Sequence, residues 1–197
     1  TVTVLNNPVA GGIFGTAGAT LTFNGQVNAN PGQTVSSRIG NVVFVGGGTM
    51  DFFDLYQGNM YLGANGGLAT ATNFGAGTFP ILEIGTSGTS VFDLSGFNQS
   101  VGGLTRYSGN SATVTNSSTT LSTLTLKVDP ANGAGYTGDY TYAGSFTGNL
   151  AVVKTGAGTQ TLSGFNTHLG GTTVNAGTLK IGNAAALGGD TGFDGAL

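Results

Sequence analysis

Few side chains here are of a type that does chemistry. His168 is the only histidine and Glu83 the only glutamate. A Ser-His-Asp arrangement would need His168 with Asp139 or Asp129, but no G-x-S-x-G elbow occurs and the serines are scattered through turn-like sequence. His168 reads instead as a surface or corner aromatic. Asp51 and Asp54 lie close together near Tyr56 and Tyr61, as an acid/base pair acting on sugars would require. No lysine or arginine is near them in sequence, so the pair reads as a solvated turn. Gly188–Gly195 resembles a calcium-binding nonapeptide, yet it lacks the G-G-x-G-x-D spacing and does not repeat. N-glycosylation acceptor patterns begin at Asn98 and Asn116, a match that is frequent by chance in Asn/Ser-rich sequence. No G-x-x-x-x-G-K-[ST] phosphate loop occurs. No catalytic, cofactor-binding or metal-ligating residue is therefore assigned, no cofactor is expected, and the chain is not expected to be an enzyme.

The elements that would carry these residues are short strands. The 197 residues include 38 Gly and 30 Thr, only 7% are charged, and there is no Cys or Trp. Gly costs about 1 kcal/mol per helical position relative to Ala, whereas Thr, Val, Phe and Tyr suit a pleated surface. Hydrophobic residues at 39% suffice for a core. Arg38, Arg106, Lys127, Lys154 and Lys180 are scattered and the net charge is −3, so nucleic acid is excluded as an expected partner. No apolar run approaches the roughly 20 residues of a membrane-spanning helix. No leader is visible at Thr1, and disulfide staples are excluded.

Polar and apolar residues alternate over 1–4, 20–23, 123–128, 172–174 and 178–181, the period of a half-buried strand. Gly pairs and Asn-Gly steps separate these runs and supply sharp corners. Ala184–Leu187 could form one helical turn. The aromatic residues Phe52, Phe53, Tyr56, Tyr61, Phe74 and Phe79 cluster where the repeat is weakest, and core packing is their simplest reading. Leu94–Gly103 (LSGFNQSVGG) recurs as Leu162–Gly171 (LSGFNTHLGG), seven of ten positions being identical at an offset of 68 residues. That offset suits three coils of roughly 22 residues each. The expected fold is an all-β, right-handed parallel β-helix of about nine coils. It would place Phe97 and Phe165 at equivalent core positions, and Asn98 and Asn166 at equivalent corners where stacked amides could bond along the axis.

Lys154–Leu179 resembles the autotransporter-associated β-strand repeat, also called the passenger-associated transport repeat. The family reads K-x-G-x-G-T-x-x-L-S-G-x-N-x-Y-x-G-G-T-x-x-x-x-G-T-L, and this chain departs from it at His168, where the family usually carries Tyr. Asp93–Leu104, Ala112–Ser118 and the sequence on to Leu124 look like the segment that often precedes the repeat. The resemblance covers 92–190 and implies a right-handed β-helix, secreted or displayed on a bacterial surface, with no catalytic residues. The expected organisation is a single β-solenoid over 1–197, with divergent coils or a β cap over 1–91 and repeat-bearing coils over 92–197. The expected function is an extracellular structural rod or stalk that could stack end to end into filaments. An adhesin-type module for glycans or host surfaces is the alternative. Expected partners are copies of itself or the rest of a longer surface protein, with glycans under the alternative. Thr1–Val4 and Gly195–Leu197 read as ends without caps, to be covered by more chain or by another copy.

Overall fold

The computed structural model describes residues 13–14, 17–28, 34–68, 79–107, 109–130 and 138–189. The chain runs in circuits of short strands. It passes through β1 (Ile13–Phe14), β2 (Thr20–Phe23) and β3 (Val27–Asn28), then repeats the path as β4 (Thr34–Ser37), β5 (Asn41–Phe44) and β6 (Gly48–Thr49). β7 (Phe52–Leu55) and β8 (Gly58–Leu62) follow, then β9 (Ile81–Ile84), β10 (Ser90–Asp93) and β11 (Gln99–Val101). A longer circuit comprises β12 (Gly103–Arg106), β13 (Ala112–Asn116) and β14 (Ser122–Lys127), and a shorter one β15 (Asp139–Tyr142), β16 (Ser145–Gly148) and β17 (Leu150–Thr155). β18 (Thr159–Leu162), β19 (Thr172–Val174) and β20 (Thr178–Ile181) complete the described strands.

Successive circuits stack in parallel to make three walls. The first wall is a five-stranded sheet, β1-β4-β7-β9-β12, followed by a three-stranded sheet, β15-β18-β20. The second is β2-β5-β8-β10-β13-β16, and the third is β11-β14-β17-β19, with the β3-β6 pair at its head. This is a parallel β-solenoid, as the alternation of threonines and aliphatics predicts. Among the described residues Ala184–Leu187 form a turn rather than a helix, closed by Ala186 N donating to Asn183 O at 3.0 Å.

Coil length varies, contrary to a uniform 22. Ile13 pairs with Ser36, Thr34 with Phe52, Phe52 with Ile81, and Thr159 with Thr178. The segments between strands differ in length while the ladders keep their register. This corrects the reading of the ten-residue repeat. Leu94–Gly103 leads from the second wall into the third, whereas Leu162–Gly171 leads from the first wall along the second. Phe97 packs against the core but Phe165 is 65% exposed, and Asn98 is exposed while Asn166 is buried.

The interior is a continuous apolar column. β14 and β17 alternate buried and half-buried residues, with Leu124 stacked on Val152. Phe92, Val114 and Phe146 stack in register along the second wall. Phe23 and Phe44 stack with ring centroids 5.3 Å apart, and Phe44 meets Phe53 edge to face at 5.3 Å. Burying each such side chain contributes about 1.5–3 kcal/mol.

At the junction between the two sheets of the first wall, a side chain stands in for a peptide. The buried Gln160 accepts from Leu104 N (3.1 Å) through Oε1 and donates to Leu104 O (2.8 Å) through Nε2. The amide thus satisfies a backbone pair where the two sheets are not joined by a strand ladder.

Close stacking leaves no room at certain glycines. A Cβ on Gly164 would lie 1.8 Å from Gly144 O of the preceding coil, whereas one on Gly25 would meet nothing within 4 Å. Gly164→Ala is expected to cost about 1–3 kcal/mol, and Gly25→Ala less than about 0.5 kcal/mol. Chemical denaturation of the two variants checks this. Equal effects would contradict the stacking.

Candidate functional site

The sequence repeat at Lys154–Leu179 folds into a set of interior polar anchors. Lys154 sits inward on β17, in register with Leu126, and is fully buried. Its Nζ donates to Thr155 O (2.8 Å), Gly156 O (2.9 Å) and Ala176 O of the next coil (3.1 Å). Three donors meet three carbonyls, so the ammonium closes two successive corners. Burial pushes its pKa down, and Asp129 pulls it back up. The glycines of the motif leave room for this arrangement: Gly177 is in the left-handed region, and a Cβ there would lie 2.8 Å from Lys154 Nζ.

Asn166 acts in the same way one corner further on. Its Oδ1 accepts from Phe146 N (2.7 Å) in the preceding coil, and its Nδ2 donates to Ala186 O (2.6 Å) in the following one. The predicted amide-to-amide stacking with Asn98 does not form. Each asparagine bonds to backbone instead.

His168 points into the core with no exposed surface, which corrects its reading as a surface aromatic. Its ring meets Phe146 edge to face at 5.7 Å. Thr172 Oγ1 donates to Leu187 O (2.8 Å), so its single hydroxyl proton is used. His168 Nε2, 3.0 Å away, must therefore be the donor to Thr172 Oγ1. This assigns the neutral Nε2–H tautomer. Nδ1 is buried with no partner, and burial lowers the pKa. Gly188 closes over the ring, and Gly189 N donates to His168 O (2.7 Å). Asp139 opens β15 on the first wall and Asp129 follows β14 on the third, so the structure does not assemble a Ser-His-Asp triad around His168. The calcium-like stretch beyond Gly189 lies outside the described residues, as do Phe74 and both chain ends. Among the described residues no three His, Cys, Asp or Glu side chains group to hold a metal ion.

The carboxylates pair differently from the sequence reading. Asp51 is buried, whereas Asp54 faces outward on β7, beside Glu83 on β9 in register. Thr86 Oγ1 donates to Asp54 Oδ1, and Arg38 lies over the Tyr56 ring at 4.2 Å. Burial raises the pKa of both carboxyls; Asp54 repels Glu83 further, while Thr86 and Arg38 hold Asp54 down. Sequence reasoning missed Glu83 because the coil between it and Asp54 is longer than the average. Tyr61, on β8, is on the second wall opposite Asp93.

The two glycosylation patterns separate cleanly. Asn116 is buried, with Oδ1 accepting from Gly96 N and Ser118 N and Nδ2 donating to Thr120 O and Asn149 O. It is an internal brace, not an acceptor. Asn98 is exposed. No helix among the described residues is long and apolar enough to cross a membrane.

Comparison with known proteins finds the same repeat in this segment. The passenger-associated transport repeat model matches residues 152–181, the segment that holds the Lys154 and Asn166 anchors. A curated relative, "Adhesin BmaC autotransporter" of Brucella suis biovar 1 (strain 1330), is 33% identical over 171 residues, covering 83% of this chain. The chain spans 4% of that relative's length. No solved structure matches the chain.

His168 generates a pH dependence. Its folded pKa lies below the unfolded value of about 6.5. The folded state therefore binds its proton later than the unfolded one. Stability is fully present above about pH 6.5 and falls as pH drops below it toward the lowered folded pKa. Thermal melts between pH 7.5 and 5 should fall less steeply for His168→Tyr than for the parent. Identical slopes would contradict the burial of a neutral imidazole.

Proposed function

We propose that this autotransporter-associated repeat protein supplies a stiff β-solenoid segment, a rod or stalk, to a longer passenger on a bacterial surface. The observation that carries the reading is where the repeat's polar residues point. Lys154, Asn166 and His168 turn inward and bond carbonyls, amides or hydroxyls of their own and adjacent coils, so the motif is used to hold coils together. A stack joined by backbone ladders and an apolar column resists bending and proteolysis without disulfides. We read residues 1–197 as one solenoid, with divergent coils over 1–91, and assign it no catalytic role, no cofactor and no metal. Repetition of such segments suits a chain that spans a small part of its relative. Stacking of copies end to end, giving filaments, extends the same geometry. An adhesin role is supported by the name of the relative.

The test is labelling and imaging. Antibodies against residues 92–189 should label intact cells that express the full passenger, and negative-stain microscopy of the purified protein should give narrow rods. Label confined to permeabilised cells, or compact round particles, would overturn the reading. Filaments would favour end-to-end stacking, and isolated rods a stalk within one chain.

A further inference from the structure

Above β11 on the third wall, a groove of about 590 Å³ opens between Phe79 and the outward residues of β11 and β14. Its floor is a ladder with one rung per coil, spaced about 4.8 Å apart. Asn65 Oδ1 accepts from Asn98 N (2.7 Å), and Asn98 Oδ1 accepts from Thr123 N (2.7 Å). These bonds fix the orientation of two exposed carboxamides on successive coils. Their oxygens are engaged, and among the described residues no hydrogen bond uses their Nδ2 groups. Beside them Ser100 and Thr125, in register, present hydroxyls. Phe79 forms an apolar wall, and Lys127 Nζ lies 4.4 Å from its ring centroid.

An added peptide strand does not fit here. Asn98 O already accepts from Gly66 N (2.8 Å), and the side chain of Gln99 accepts from Leu68 N (3.1 Å). The preceding coil thus takes up the edge of β11 that strand addition would need. What the groove offers is side-chain amides and hydroxyls at a regular spacing against an aromatic wall, and none of its lining side chains is charged. Oriented amides, hydroxyls and an apolar face match a ligand with hydroxyls around its rim and C–H groups on its faces.

We propose that this groove binds a neutral oligosaccharide laid along the solenoid axis. The proposal goes beyond the rod reading and does not rest on it, since a side groove can be empty on an intact rod. The test uses the purified chain on an array of neutral and acidic oligosaccharides, followed by titration with the neutral hexasaccharides that bind. Thr125→Arg fills the groove from an outward position, and Thr22→Arg places the same side chain on the exposed second wall as a control. Circular dichroism of both variants reports folding separately from binding. The expected result is binding of a neutral oligosaccharide that Thr125→Arg weakens at least about tenfold and Thr22→Arg leaves unchanged. Binding of acidic oligosaccharides or of extended peptides alone would overturn the proposal. So would an array without a neutral ligand, or a folded Thr125→Arg variant that binds like the parent.

Discussion

Each coil of this protein lies one strand spacing, about 4.8 Å, from the next, and the interior is organised around that distance. Along the strands, backbone donors on one coil find their acceptors on its neighbours. Wherever the chain leaves the ladder, some other group must meet the orphaned carbonyls and amides, because a buried unmet polar group costs about 1–3 kcal/mol. Gln160, Lys154, Asn116 and Asn166 each do this at a corner or sheet junction. The same distance explains the glycines: a single methyl group at Gly164 would collide with the carbonyl below.

This constraint accounts for the low charge of the chain. Few positions need ions, and the one lysine driven inside is held by three carbonyls rather than by a carboxylate. It also explains how coils of different length coexist. Residues 63–80 separate β8 from β9, yet β9 still pairs with β7 in parallel register. The ladder therefore keeps its register across connections of very different length.

Much of the fold was legible in the residues. The alternation in Thr123–Val128 identifies a strand with Leu124 and Leu126 inside, and both are buried. The Lys154–Leu179 pattern identified the repeat. The coil register was not legible, because the similar decapeptides at Leu94 and Leu162 suggest equivalence while unequal corners place them on different walls. The roles of Lys154 and His168 were hidden for a related reason. Polar side chains ordinarily face water, and only the positions of neighbouring carbonyls reveal that these two turn inward. The Asp54–Glu83 pair depended on the length of one coil.

The register is therefore the claim to test most directly, and a chain without cysteine allows it. Thr113 and Ser145 are partners on β13 and β16, 32 residues apart in sequence, with hydroxyl oxygens 3.2 Å apart. Adjacent strands lie within the roughly 4.4–6.8 Å Cα separation that a disulfide spans. The double variant Thr113→Cys/Ser145→Cys should form an intramolecular disulfide on mild oxidation, seen by mass spectrometry of the non-reduced monomer, with its circular dichroism unchanged. Free thiols after oxidation, or cross-links only between molecules, would contradict the stacked register on which the account rests.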